Sequence, residues 1–184
     1  MDRIGLVNSV YDAAGRIDIG RKGIATRGKA EEGRISYEDG IAKALSVFQE
    51  AQATADPQTI ILVEYTFLAQ ELQFCDESDK DSFTSLTQAL QSFDDAFQVL
   101  KIVEKTEYRI ADIAIPHHKD YRVKGGYPKD SFHVACGSHK TRLENILRSP
   151  GIDPIEKALL KQRIANLPTA KKAYIEKQKK ALAD

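Results

Sequence analysis

Residues 79–104 read Asp79-Lys80-Asp81-Ser82-Phe83-Thr84-Ser85-Leu86-Thr87-Gln88-Ala89-Leu90-Gln91-Ser92-Phe93-Asp94-Asp95-Ala96-Phe97-Gln98-Val99-Leu100-Lys101-Ile102-Val103-Glu104. Within this stretch Phe83, Leu86, Leu90, Phe93, Phe97, Leu100 and Val103 recur at steps of three or four. That spacing puts all seven on one face of an α-helix. Such a face either fills a bundle interior or forms a coiled-coil seam, and three phenylalanines suit an irregular interior better. The expectation that follows is an all-α fold.

The preceding stretch agrees. Asp56-Pro57 is a cap followed by a proline in the first helical turn, opening a segment that runs through Phe74. Its Ile60-Ile61-Leu62-Val63 run suits a buried strand or a buried helix, and continuation through Ala69-Gln70-Glu71-Leu72-Gln73 favours the helix. Further back, Ser36 and Asp39 have the spacing of a capping box, with Ile41, Ala44, Leu45 and Phe48 following at helical intervals, so a helix is expected from about Tyr37 to Thr54.

Six glycines (Gly5, Gly15, Gly20, Gly23, Gly28 and Gly33) crowd the first 33 residues, where large apolar residues are sparse. This composition predicts a loose arm over residues 1–35, with short pieces such as Arg16-Ile17-Asp18-Ile19 able to pair as a minor β-ribbon. Deletion of roughly the first 30 residues should then leave the rest folded. Downstream, Lys105 to Pro128 breaks into a loop, and Pro128, Pro150, Pro154 and Pro168 punctuate three further helices at about 129–148, 154–166 and 169–183. Asp153-Pro154 restarts the chain as cap and first-turn proline. The predicted architecture is an irregular helical bundle of about six helices over residues 36–184, preceded by the glycine-rich arm.

A chain of 184 residues with 42% hydrophobic content can bury a real core. Its longest aliphatic run, Ile60 to Val63, is far short of the roughly 18 residues a membrane span needs, so no membrane association is expected. The first residues lack the pattern of a secretory signal, and Cys75 and Cys136 match no disulfide or metal spacing. A cytoplasmic setting with free thiols is expected. Formal net charge is zero but unevenly spread: Met1 to His118 holds 12 Lys/Arg against 20 Asp/Glu, and Lys119 to Asp184 holds 15 against 7. The two parts either neutralise each other within the fold or the basic part meets an acidic partner.

Four constellations carry chemistry. Gly23-Ile24-Ala25-Thr26-Arg27-Gly28-Lys29-Ala30 approaches a phosphate-binding loop, but Ala30 stands where a Ser or Thr should hold magnesium, and Glu31-Glu32 would repel phosphate. His133, Cys136 and His139 are spaced to share one helix face with His117 or His118 nearby. Cys136 and His139 also belong to that helix's apolar side, which makes a buried thiol and a core or boundary histidine the first reading. The loop containing His117, His118, Lys119, Tyr121, Arg122 and Lys124 mixes cations, aromatics and glycine, the ingredients of a phosphate or base contact. Finally, Lys171 and Lys172 on a lysine-rich last helix, with Lys157, Lys161 and Arg163 before them, would make a phosphate-facing surface if solvent-exposed together.

No catalytic signature is complete, and no cofactor or metal is implied. The function expected first is a non-enzymatic interaction protein that binds itself or another macromolecule. Nucleic-acid binding through the basic carboxy-terminal third comes second, and a metal-dependent or thiol enzyme using the His117–His139 cluster comes third. The candidate binding residues are His117, His118, Lys119, Tyr121, Arg122, Lys124, Lys171 and Lys172.

Overall fold

A computed structural model describes residues 1–100 and 131–167. Among the described residues the chain forms six helices and no strand. They are α1 (Arg3–Ile24), α2 (Ala30–Ala53), α3 (Pro57–Phe74), α4 (Lys80–Leu100), α5 (Ser131–Leu147) and α6 (residues 154–167). This is the irregular helical bundle the stripe at 79–104 predicts. The helix expected at 169–183 and the loop before Pro128 lie outside the described residues.

The first 35 residues depart from the sequence reading. In place of an arm or β-ribbon, Arg3–Ile24 is a 22-residue helix, started by Asp2, whose carboxylate accepts the Gly5 N–H at 2.7 Å. Position 35, the expected end of the arm, falls inside α2. Leu6, Val10, Ala13, Ile17 and Gly20 are buried along α1, and Gly33, Tyr37, Gly40, Ala44, Val47 and Ala51 along α2, both at steps of three and four. The two form an antiparallel hairpin whose turn places Gly28 at φ +80°, a conformation that favours glycine.

The glycines make the close approach of these helices possible. A Cβ at Gly20 would lie 2.4 Å from the Tyr37 backbone nitrogen, and one at Gly33 would lie 2.3 Å from that of Ile24. Dense glycine here marks a tight helix–helix seam rather than a flexible segment. Ser36, expected to begin the second helix, sits within α2 and donates to the Arg16 carbonyl at 3.0 Å across the hairpin. Helix α2 begins earlier, at Ala30, with no side-chain cap and with Glu31 and Glu32 in its positive first turn.

Helix α3 is the centre of the molecule, buried without interruption from Thr59 to Gln70. Helices α1, α2 and α4 pack on it, and α5 packs on α4. Asp79 caps α4 through the Ser82 N–H at 3.2 Å, and Asp153 caps α6 through the Ile155 N–H at 2.8 Å. Leu86, Leu90 and Phe93 of the α4 stripe are buried, as its spacing predicts. Helix α6 is hydrogen-bonded to α2 at both of its ends. The Tyr37 hydroxyl donates to Glu156 at 2.7 Å near one end, and the Asn166 amide donates to the Phe48 carbonyl at 3.0 Å near the other.

Candidate functional site: a buried ionic network beside a cleft

Helix α3 must place Glu64 in the core, because every neighbour from Thr59 to Gln70 is buried and one face of the helix has nowhere else to turn. A carboxylate so placed needs a cation and full hydrogen bonding to remain ionised. Helix α6 supplies both through Arg163, itself 1% exposed. Arg163 donates to Glu64 from Nη2 at 2.7 Å and from Nε at 3.0 Å, and to Glu71, two turns further along α3, at 3.0 and 3.2 Å. Its guanidinium lies 4.8 Å from the Phe67 ring centroid and 5.8 Å from that of Phe48, so π-faces complete its desolvated shell.

Helix α5 adds His139, whose Nε2 lies 2.7 Å from Glu64 Oε1 and whose ring stands edge-on to Phe93 at 5.3 Å. Burial lowers the pKa of this imidazole, against the opposing pull of Glu64, and Arg163 and Arg142 lower it further. The neutral ring therefore donates Nε2–H to Glu64. Its Nδ1 is buried with no hydrogen-bond partner among the described residues. Burial alone would raise the Glu64 carboxyl, but the Arg163 charge and the His139 hydrogen bond outweigh it and hold the group at about 2. Glu64 and Glu71 thus face one arginine, and this network ties α3, α5 and α6 together.

A cleft of about 520 Å³ opens beside the network. Its apolar wall includes Ile17 of α1, Phe67 of α3, Leu86 of α4 and Leu159 and Leu160 of α6. Most of its charged rim is paired: Lys22 with Asp18 at 2.7 Å, Arg21 with Glu156 at 3.5 Å, and Glu71 with Arg163. Cys75 also lines it, with no disulfide. Burial, then Asp79 and Asp76, push the Cys75 thiol up, away from the thiolate a nucleophile requires.

The expected binding residues His117, His118, Lys119, Tyr121, Arg122, Lys124, Lys171 and Lys172 all lie outside the described residues. The side chain of His133 does also. Of the trio His133-Cys136-His139, Cys136 and His139 are buried and His139 Nε2 is committed to Glu64. Among the described residues no group of three or more His, Cys, Asp or Glu side chains could hold a metal ion. Arg163 is corrected: it faces the core rather than a phosphate, because two carboxylates and two aromatic rings draw it inward. Gly23 to Ala30 connects two helices instead of leading from a strand, so the context of a phosphate-binding loop is absent there.

Sequence reasoning missed Glu64, Glu71 and Arg142 as parts of a site. The legible signal was Glu64 itself, an acidic residue in the middle of a helix apolar on more than one side, which demands a buried cation. No family model, curated protein or solved structure matches this chain.

Proposed function

We propose that this chain is a non-enzymatic helical interaction protein that binds a protein partner or a second copy of itself. The observation that carries this reading is on the α1–α2 hairpin. Ile4, Ile19, Ile24 and Ile35 are 58%, 64%, 46% and 51% exposed, although the seam between the two helices is already filled by other residues. Isoleucine is a weaker helix former than lysine, glutamate or alanine, and in water its side chain gains nothing from exposure. A partner that covers these side chains gives them a role. That neither Cys75 nor Cys136 is in a disulfide supports a cytoplasmic setting for that partnership.

Sedimentation velocity of the full chain from micromolar to millimolar concentration tests the self-binding form. A mass that rises with concentration, and stays monomeric in the Ile19→Lys/Ile35→Lys double variant, supports it. A photo-crosslinking residue at position 19 or 35 tests the partner form inside cells. A constant monomer together with no protein adduct at either position would reject the proposal.

A second reading, nucleic-acid binding, is favoured by Lys157 and Lys161. They stand exposed one turn apart on α6, and neither has a carboxylate within ion-pair distance among the described residues. Binding that falls steeply with salt, and whose salt slope flattens in a Lys157→Gln/Lys161→Gln variant, would select this reading over the first.

A further inference from the structure

Arg142 of α5 lines the cleft differently from the other cations there. Its Nε donates to the Ser85 hydroxyl at 3.0 Å, a neutral partner on α4. Its Nη1 is buried with no hydrogen-bond partner among the described residues. Lys22, Arg21 and Arg163 each have a carboxylate within ion-pair distance, and Arg142 has none among those residues. A guanidinium has five N–H donors in a rigid planar fork, so one left with a single neutral acceptor calls for an anion.

The acidic groups around it choose among anions. Asp76 and Asp79 also line the cleft, their carboxylates turned to the Ser78 and Ser82 N–H groups of their own turns at 2.9 and 3.2 Å. With Glu71 they would oppose a second negative charge, so a doubly charged phosphate is disfavoured. A monoanion whose charge sits on a planar two-oxygen group matches the fork. The remaining volume is bounded by Phe67, Leu86, Ile146 and Leu159, which suits a hydrocarbon body.

We propose that this cleft binds a small organic monocarboxylate with an apolar body, its carboxylate on Arg142 and its hydrocarbon against α3, α4 and α6. The site is separate from the exposed isoleucines and does not rest on the interaction reading.

Titration of the full chain with sodium octanoate, below its micelle concentration and followed by calorimetry and two-dimensional NMR, tests it. Octanoate should bind saturably and shift amides of α3, α4, α5 and α6. On the unmodified chain 1-octanol and octylammonium should each bind at least about tenfold more weakly, as loss of a charge-assisted pair implies. Octyl phosphate, at a pH where it is a dianion, should also be weaker than octanoate. Arg142→Gln should weaken octanoate by about tenfold or more, with an unchanged circular dichroism spectrum and cooperative melting. Octanol binding as tightly as octanoate, unchanged affinity in Arg142→Gln, or no saturable binding would each overturn the proposal. The ligand comparison on the unmodified chain decides the matter even if the variant fails to fold.

Discussion

Glu64 concentrates the energetics of the core in one side chain. It is ionised where almost no water reaches, because Arg163 and His139 replace the solvent shell it has lost. Pairs of this kind contribute little compared with a well-packed apolar substitute, but removing one partner leaves the other charge stranded. Glu64→Gln should therefore cost about 3–5 kcal/mol in a urea unfolding experiment. A change below about 1 kcal/mol would mean that Glu71 alone satisfies Arg163. The same residue sets an acid limit. Its folded value of about 2 lies below the ordinary 4.5, so the unfolded chain takes up the proton first. Its stabilisation is full above about pH 5 and is lost as pH falls toward about 2. His139 is depressed too, from 6.5, and faces Glu64 of α3, Arg163 of α6, Arg142 of its own helix and the Phe93 ring of α4. Below pH 6.5 the unfolded imidazole charges while the buried one resists, which also removes stability on acidification. The urea midpoint should hold steady above neutrality, decline below 6.5 and drop again below 4.5. His139→Gln, which can keep an N–H donor toward Glu64 without a titrating ring, should abolish the first decline and leave the second.

At the scale of helices, glycine has opposite effects at positions only a few residues apart. Exchanging glycine for alanine within a helix gains about 1 kcal/mol when nothing obstructs the new methyl. No atom lies within 4 Å of the place a Cβ at Gly15 would occupy, so Gly15→Ala should raise the melting temperature. Gly20→Ala and Gly33→Ala place a methyl 2.4 and 2.3 Å from backbone of the opposite helix, which no side-chain rotation relieves. Each should lower stability by a few kcal/mol, on the order of other overpacked sites. Equal melting temperatures for all three variants would refute the tight seam. The same residues explain what the sequence let through. Helix α4 was legible because large apolar residues recur at steps of three and four after Asp79, most of α2 because Ile41, Ala44, Leu45 and Phe48 do the same, and α3, α5 and α6 because Asp56-Pro57, Pro128, Pro150 and Asp153-Pro154 mark their boundaries. Helix α1 was not legible, since much of its repeating face is Ala13 and Gly20, which a search for large apolar side chains passes over. The ionic network was half legible: Glu64 stands out within an apolar segment, but its partners lie 75 and 99 positions away, and local spacing cannot pair them.

For the molecule as a whole, the role of the first helix decides whether the bundle is one folding unit or a body with an appendage. Leu6, Val7, Val10 and Ile17 are each no more than 5% exposed, and burying four such side chains is worth roughly 6–12 kcal/mol at 1.5–3 kcal/mol each. Domains of this size are stable by only about 5–15 kcal/mol in total. Removing α1 would also uncover the faces of α2 and α3 that pack against it, with nothing to replace it. Arg3 would take with it its bonds to Asp56 and Thr59 at the start of α3. A chain of residues 30–184 should therefore lack a cooperative thermal transition, in contrast to the expectation drawn from glycine content alone. Far-ultraviolet circular dichroism would retain helical signal, because α4 has a strong apolar stripe of its own, while dispersion of methyl resonances would be lost. Adding residues 1–29 back as a separate peptide should restore the transition, and Gly20→Ala in that peptide should impair the rescue. A truncated chain that melts cooperatively near the full-length midpoint would show that α1 covers the core without sustaining it.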